Sequence, residues 1–134
     1  MSEKTMLDLE LDGATEPHVV AAEQEYRIRV VGGHVTKSDK GTFLIIRFEV
    51  KDDPYSKEFT QVYSTDFSKM SVKQANSAKW TLTELFRALK FNYRGGTLDP
   101  QDDLAGLECT AVLGVKTSDD FGDQNFIRKL IIPR

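Results

Sequence analysis

One cysteine, Cys109, stands in a chain of 134 residues, so no internal disulfide can staple the fold. None is required, because a single core at this length removes roughly two thirds of the unfolded chain's surface from water. Cys109 lies in an apolar run, the setting of a buried thiol in a reducing compartment. No run approaches the roughly 18 apolar residues that span a bilayer. Residues 1–11 alternate charged with apolar side chains, unlike the basic start and apolar core of an export signal. A cytoplasmic protein without membrane contact is expected. Catalytic chemistry is equally scarce. The two histidines, His18 and His34, lie far along the chain from Cys109, and no H-x-x-E, C-x-x-C, G-x-S-x-G or Walker spacing occurs. Asp119, Asp120 and Asp123 lack the bidentate glutamate of a calcium loop and read as a polar hairpin tip. These absences point to a protein that is not an enzyme and carries no cofactor or metal.

What is present is an uneven distribution of charge. The totals are 18 basic and 21 acidic side chains, net −3, which by itself argues against a polyanionic partner. Counted in blocks, residues 1–26 carry one basic and seven acidic groups (net −6), residues 27–94 thirteen and seven (net +6), and residues 95–134 four and seven (net −3). A positive middle between acidic ends can present a basic face once folded, and the acidic segment tethered to it can compete for that face.

The hydrophobic pattern divides the chain into an acidic arm, residues 1–23, and a domain, residues 24–134. From Glu25 the period is two: Tyr26, Ile28 and Val30 share one face, Arg27, Arg29 and Val31 the other. Gly32 and Gly33 then mark a bulge or bend, and Lys37 to Gly41 form a hairpin turn. Residues 42–51 place Leu44, Ile46, Phe48 and Val50 inward, with Phe43, Ile45, Arg47 and Glu49 outward. A third strand covers residues 59–64. One helix follows, its stripe formed by Ala75, Ala78, Leu82, Leu85, Phe86 and Leu89, with Ser71 and Gln74 at capping-box spacing. Trp80 falls off that stripe, on the side of Thr83 and Arg87. Asp99 and Pro100 open a single helical turn, and residues 108–116 and 124–132 form the last two strands. Three strands, a helix and two strands is the order of an OB-fold, so the expected class is mainly β: a five-stranded Greek-key barrel with one α-helix between strands 3 and 4. A sandwich or roll of five or six strands shares this order and remains the alternative.

Strand alternation turns this fold into a candidate binding face. Phe43 and Arg47 point outward, as do Arg27 and Arg29. If Val62 is inward, Phe59 and Tyr63 join them; a parity one residue out reverses that assignment. Tyr55 and Lys57 occupy the loop after the second strand, Lys37 and Lys40 the first hairpin, and Phe121 the last hairpin tip. Rings interleaved with cations suit single-stranded nucleic acid: bases stack on the rings and cations follow the phosphates. The expected phosphate contacts are therefore Arg27, Arg29, Lys37, Lys40, Arg47 and Lys57, and the expected stacking groups Phe43, Tyr55, Phe59, Tyr63 and Phe121.

Several segments together give the chain a family likeness. They are Glu25-Tyr-Arg-Ile-Arg-Val30, the Lys37–Gly41 hairpin before an apolar strand, the helix over residues 80–89, Asp103-Leu-Ala-Gly-Leu-Glu-Cys109, and Asn125-Phe-Ile-Arg-Lys-Leu-Ile131. Across roughly residues 24–132 the chain resembles small phage single-stranded DNA-binding proteins of the OB-fold type. The resemblance implies sequence-independent binding of single-stranded DNA in phage DNA replication or recombination, in the host cytoplasm. Replication or recombination proteins and further copies of the chain would be its partners. Many such proteins end in an acidic tail that recruits partners. Here the acidic segment is the N-terminal arm, with Asp8, Glu10, Asp12 and Glu16, and this chain ends in Ile131-Ile-Pro-Arg134. Two rivals stay open at this point. One is a structural or protein-interaction domain, such as a virion component or host-enzyme inhibitor, that uses the outward aromatics as an interface. The other is an OB-type domain for RNA or duplex ends.

Overall fold

A computed structural model describes residues 4–93 and 95–133. Five antiparallel strands form one sheet: β1 (Gln24–Ser38), β2 (Gly41–Val50), β3 (Phe59–Ser64), β4 (Glu108–Ser118) and β5 (Gly122–Ile131), in the order β3-β2-β1-β4-β5. Helix α1 (Val72–Ala88) and the short α2 (Pro100–Leu104) lie between β3 and β4. The fold is therefore mainly β with one substantial helix. β3 and β5 are the edges, and no backbone ladder joins them among the described residues, so the sheet is open. One side chain spans the gap: Gln61 Oε1 accepts from the Ile127 N–H at 3.2 Å.

β1 is the central strand, and its length comes from a bend. Its first half pairs with β4 from Gln24↔Leu113 to Arg29↔Glu108, and it pairs with β2 from Ile28↔Val50 to Ser38↔Gly41. The register slips by one residue between Val30 and Gly32, the bulge that the two glycines mark in the sequence. Glycine is required here because α2 packs directly against the bulge. A Cβ on Gly32 would collide with the Gln101 carboxamide, whose Oε1 accepts from the Gly33 N–H at 3.3 Å.

Local signals set the helix ends. Ser71 Oγ accepts from the Gln74 N–H and Gln74 Oε1 from the Ser71 N–H, both at 3.2 Å, which completes the capping box. Asp99 Oδ1 accepts from the N–H groups of Gln101 and Asp102 at 3.0 Å, with Pro100 in the first position of α2. Leu85, Ala88 and Leu89 of α1 then close on a core of Ile28, Val30, Ile46, Phe48, Leu104 and Leu113. Cys109 is fully buried there, and burial pushes its thiol up to about 11, so it stays protonated at neutral pH. Among the described residues no helix is long and apolar enough to cross a membrane.

One expectation is reversed. Phe59 and Tyr63 face inward, 2% and 9% exposed, whereas Val62 is 59% exposed. The physical reason is size. β3 alternates between two sets, and the core takes the one with two aromatic rings: Phe59 stacks on Phe48 with centroids 5.5 Å apart. Neither residue offers a surface for stacking a ligand, and burial holds the Tyr63 phenol well above its ordinary pKa.

Among its described residues the N-terminal arm is attached only at its end. Residues 4–18 are exposed. At His18 a single parallel bridge to Ser56 begins the attachment, and Val20 is buried beneath Asn125. Asn125 Oδ1 accepts from the Val20 N–H at 2.9 Å, while its Nδ2 donates to the Val20 and Gly114 carbonyls at 3.0 Å. All three partners lose this pairing in Asn125→Leu, and buried unpaired groups cost roughly 1–3 kcal/mol. Urea unfolding of that variant should show a loss of this order, with faster proteolysis ahead of residue 24. A wild-type midpoint and digestion pattern would mean that Asn125 does not anchor the arm.

Candidate nucleic-acid interface

The outer surface of β1, β2 and β3 is organised in three rows by strand register. Thr36, Phe43 and Ser64 form one row, His34, Ile45 and Val62 the next, and Gly32, Arg47 and Thr60 the third. Phe43 and Ile45 are half-buried and Arg47 is exposed, so the middle of this face is apolar and accessible. A depression of about 450 Å³, lined by Thr60, Gln61, Val62, Lys116 and Phe126, continues the face over the open seam onto β4 and β5. The Phe126 ring lies across Gly114, where any Cβ would strike it at 2.5 Å, and the Arg128 guanidinium sits 5.6 Å from the ring centre. A glycine opposite an aromatic thus lets the ring lie flat on the sheet. A smaller cavity of about 160 Å³ sits beside the bulge, between His34, Arg47 and Gln101.

Loops flank this face. Lys37 and Lys40 are exposed at the β1–β2 hairpin. At the other end of β2, the β2–β3 loop carries exposed Tyr55 together with Lys57, whose Nζ donates to the Asp123 carbonyl at 3.2 Å. That bond ties the loop to the β4–β5 hairpin, which exposes Phe121. The arm joins the same junction: His18 N donates to Tyr55 O at 3.1 Å, and Lys57 N to His18 O at 2.7 Å. His18 Nε2 lies 2.7 Å from Asp53 Oδ2, a hydrogen bond that holds the Asp53 carboxyl below its ordinary pKa.

The three arginines expected to meet phosphates do point outward, but each already has a carboxylate. Arg29 pairs with Glu49 at 2.5 Å, Arg47 with Glu58 at 3.2 Å, and Arg27 with Glu108 at 3.3 Å. Glu108 also takes Lys51 at 3.0 Å, and Lys51 first, then Arg27, hold its carboxyl below the usual range. Arg27 and Arg29 lie on the half of β1 that pairs with β4, away from the Ile45–Val62 row. The structure thus brings Phe43 and Arg47 together on one face. It places Tyr55, Lys57 and Phe121 at one end and Lys37 and Lys40 on the hairpin, and withdraws Phe59 and Tyr63 into the core. Val62, Phe126 and Lys116 belong to the face and were missed from sequence. For Val62 the signal was the smaller apolar member of an alternating strand; for Phe126 it was the glycine in the neighbouring strand.

Among the described residues no three potential metal ligands converge. What the arrangement does offer is apolar contact and cationic attraction along one surface. The sequence matches no known family model, and comparison with curated proteins likewise finds no match.

Two outcomes test this electrostatic arrangement. Glu49→Gln frees the Arg29 guanidinium, so retention on heparin should rise; unchanged retention would show that Glu49 does not mask it. Because the Asp53 pKa is lowered in the folded state, the stability it contributes is present above the ordinary carboxylate pKa of about 3.8 and is lost as pH falls through the lower native value. The protection of the His18 and Lys57 amides, taken relative to intrinsic exchange at each pH, should therefore hold at pH 5 and fall only below about pH 4. A loss of protection already between pH 6 and 5 would contradict this assignment.

Proposed function

We propose that this protein is a non-enzymatic, sequence-independent single-stranded DNA-binding protein of the OB-fold type, acting in phage DNA replication or recombination. The fold reading is supported by strand order. The observed order β3-β2-β1-β4-β5 is the one a five-stranded Greek-key barrel would have if β3 and β5 closed on each other, and the Gln61 side chain bridges those two edges. Helix α1 falls between β3 and β4, as it does in that architecture.

The observation that carries the functional reading is the accessible apolar strip Phe43, Ile45, Val62 and Phe126, with Lys116 beside it and aromatic and lysine-bearing loops at its ends. Bases lie against the strip and against Tyr55 and Phe121, each stacked ring contributing roughly 1–3 kcal/mol. Lys37, Lys40, Lys57 and Lys116 follow the phosphates. Arg27, Arg29 and Arg47 contribute only after giving up their glutamates, an exchange of one ion pair for another at little net gain. No base-edge contact is needed, which fits binding without regard to sequence. A second reading, a structural or protein-interaction domain, has one observation in its favour: an apolar groove beside α1, on another part of the surface.

The test is fluorescence anisotropy with a labelled oligo-dT of about 30 nucleotides, longer than the roughly 4–16 that one OB-fold covers. Affinity should fall as salt rises, with a log–log slope near −0.7 per phosphate contact. Val62→Asp, an exposed change that leaves the core untouched, should weaken binding at least tenfold, and Phe126→Ala by about 1 kcal/mol or more. Binding that is absent, indifferent to salt, or unaffected by Val62→Asp would reject this face. Parallel titrations with RNA and duplex report the preferred strand.

A further inference from the structure

The groove beside α1 is an accessible apolar cavity that the proposed DNA-binding face does not use. It measures about 300 Å³ and is formed by Leu44, Phe67, Leu82, Phe86, Tyr93 and Leu98. Lys79 is the only charged side chain among the described residues that line it, and its Nζ sits 5.4 Å from the Phe67 ring centre. On the flank, Arg87 stacks on the half-exposed Trp80 at 5.2 Å, with exposed Lys73 two turns further back. An apolar floor under a cationic rim fits an acidic peptide with apolar side chains.

The chain carries such a peptide. Met6, Leu7, Leu9 and Leu11 are 92%, 76%, 68% and 71% exposed, an unusual display of large apolar groups with no partner. Asp8, Glu10 and Asp12 alternate with the leucines, so in an extended conformation the leucines share one face and the carboxylates the other. We propose that the N-terminal arm of one copy docks in the α1 groove of a second copy, its leucines on the apolar floor and its carboxylates toward Lys79, Arg87 and Lys73.

Geometry favours the neighbour's groove over the chain's own. The arm is held at His18 against Ser56, whereas the groove lies by Leu44 and Thr65, at the opposite end of β2 and β3. From His18 the seven residues to Leu11 span at most about 25 Å, and β3 with its lead-in from Ser56 consumes roughly that length or more. Leu11 meets its own groove only when pulled taut, so Leu7, Leu9 and Leu11 seat there together only under tension; on a second copy all three enter without it. Each copy has one arm and one groove, so the contact is heterologous and repeats from copy to copy until it closes into a ring or continues as a filament. This association does not depend on nucleic acid, and it stands or falls separately from the DNA-binding reading.

Sedimentation velocity on the full chain without nucleic acid tests it. The weight-average mass should grow with protein concentration, and growth should weaken at high salt. Deleting residues 1–16, which leaves His18 and its contacts in place, should give a monomer. Lys79→Glu should weaken association at least tenfold, with circular dichroism and melting unchanged in both variants. Mixed together, the two variants should form a 1:1 pair and nothing larger, because one retains only a groove and the other only an arm. A full chain that stays monomeric at every concentration, including one whose arm is protected by folding onto its own body, overturns the proposal. So does assembly that survives the deletion, or a mixture that remains monomeric.

Discussion

The bend in β1 is the constraint on which the other elements depend. One strand serves two partners, β2 from Ile28 onward and β4 along its first half, and a straight ribbon cannot do this while keeping a single hydrophobic face inward. The extra residue at Val31 re-aims the chain, and the following glycines let α2 press the Gln101 carboxamide against the bulge. From that point the two halves of the sheet curve toward each other, Leu85 and Leu104 cap the enclosed space, and β3 comes within one glutamine side chain of β5. The curvature also spreads the outer surface into regions facing different directions. Arg27 and Arg29 therefore fall outside the strip that holds Ile45 and Val62, although all four are outward residues of one sheet.

Legibility in the sequence follows the range of the interaction involved. The capping box at Ser71 and Gln74, the Asp99-Pro100 start of α2, the glycine bulge and the inward set on β2 are decided within a few residues, and each is readable in the chain. β3 was ambiguous because period two always offers two faces. Comparing the volumes on each, two aromatic rings against one valine, would have favoured Phe59 and Tyr63 for the core. What could not be read was the non-local part. Phe126 lies flat because Gly114 is its cross-strand partner, the arginines are neutralised by glutamates from other strands or a distant loop, and β3 and β5 meet only in three dimensions.

Charge shows the same contrast between chain and fold. The central block of net +6 suggests a strongly positive face, yet Glu49, Glu58 and Glu108 sit against its arginines and leave the lysines as the freer cations. Lysines at loop tips and beside an apolar strip would attract a polyanion without fixing its position, which is what the proposed sequence-independent binding requires. Carboxylates set among arginines also limit how strongly the surface holds any anion. Acidic and cationic groups thus regulate each other twice, within the sheet and between arm and helix.

The bond from Lys57 to the Asp123 carbonyl links two hairpins that the chain separates by more than sixty residues, and His18 fastens the base of the arm to the same spot. These links are few, mostly solvent-exposed and polar, so each breaks and reforms at low cost. Three segments far apart in the chain are thereby tied to one another at a single polar junction. Tension on the arm is transmitted first to this junction, and through it to Tyr55 and the Phe121 tip, before any core contact is disturbed.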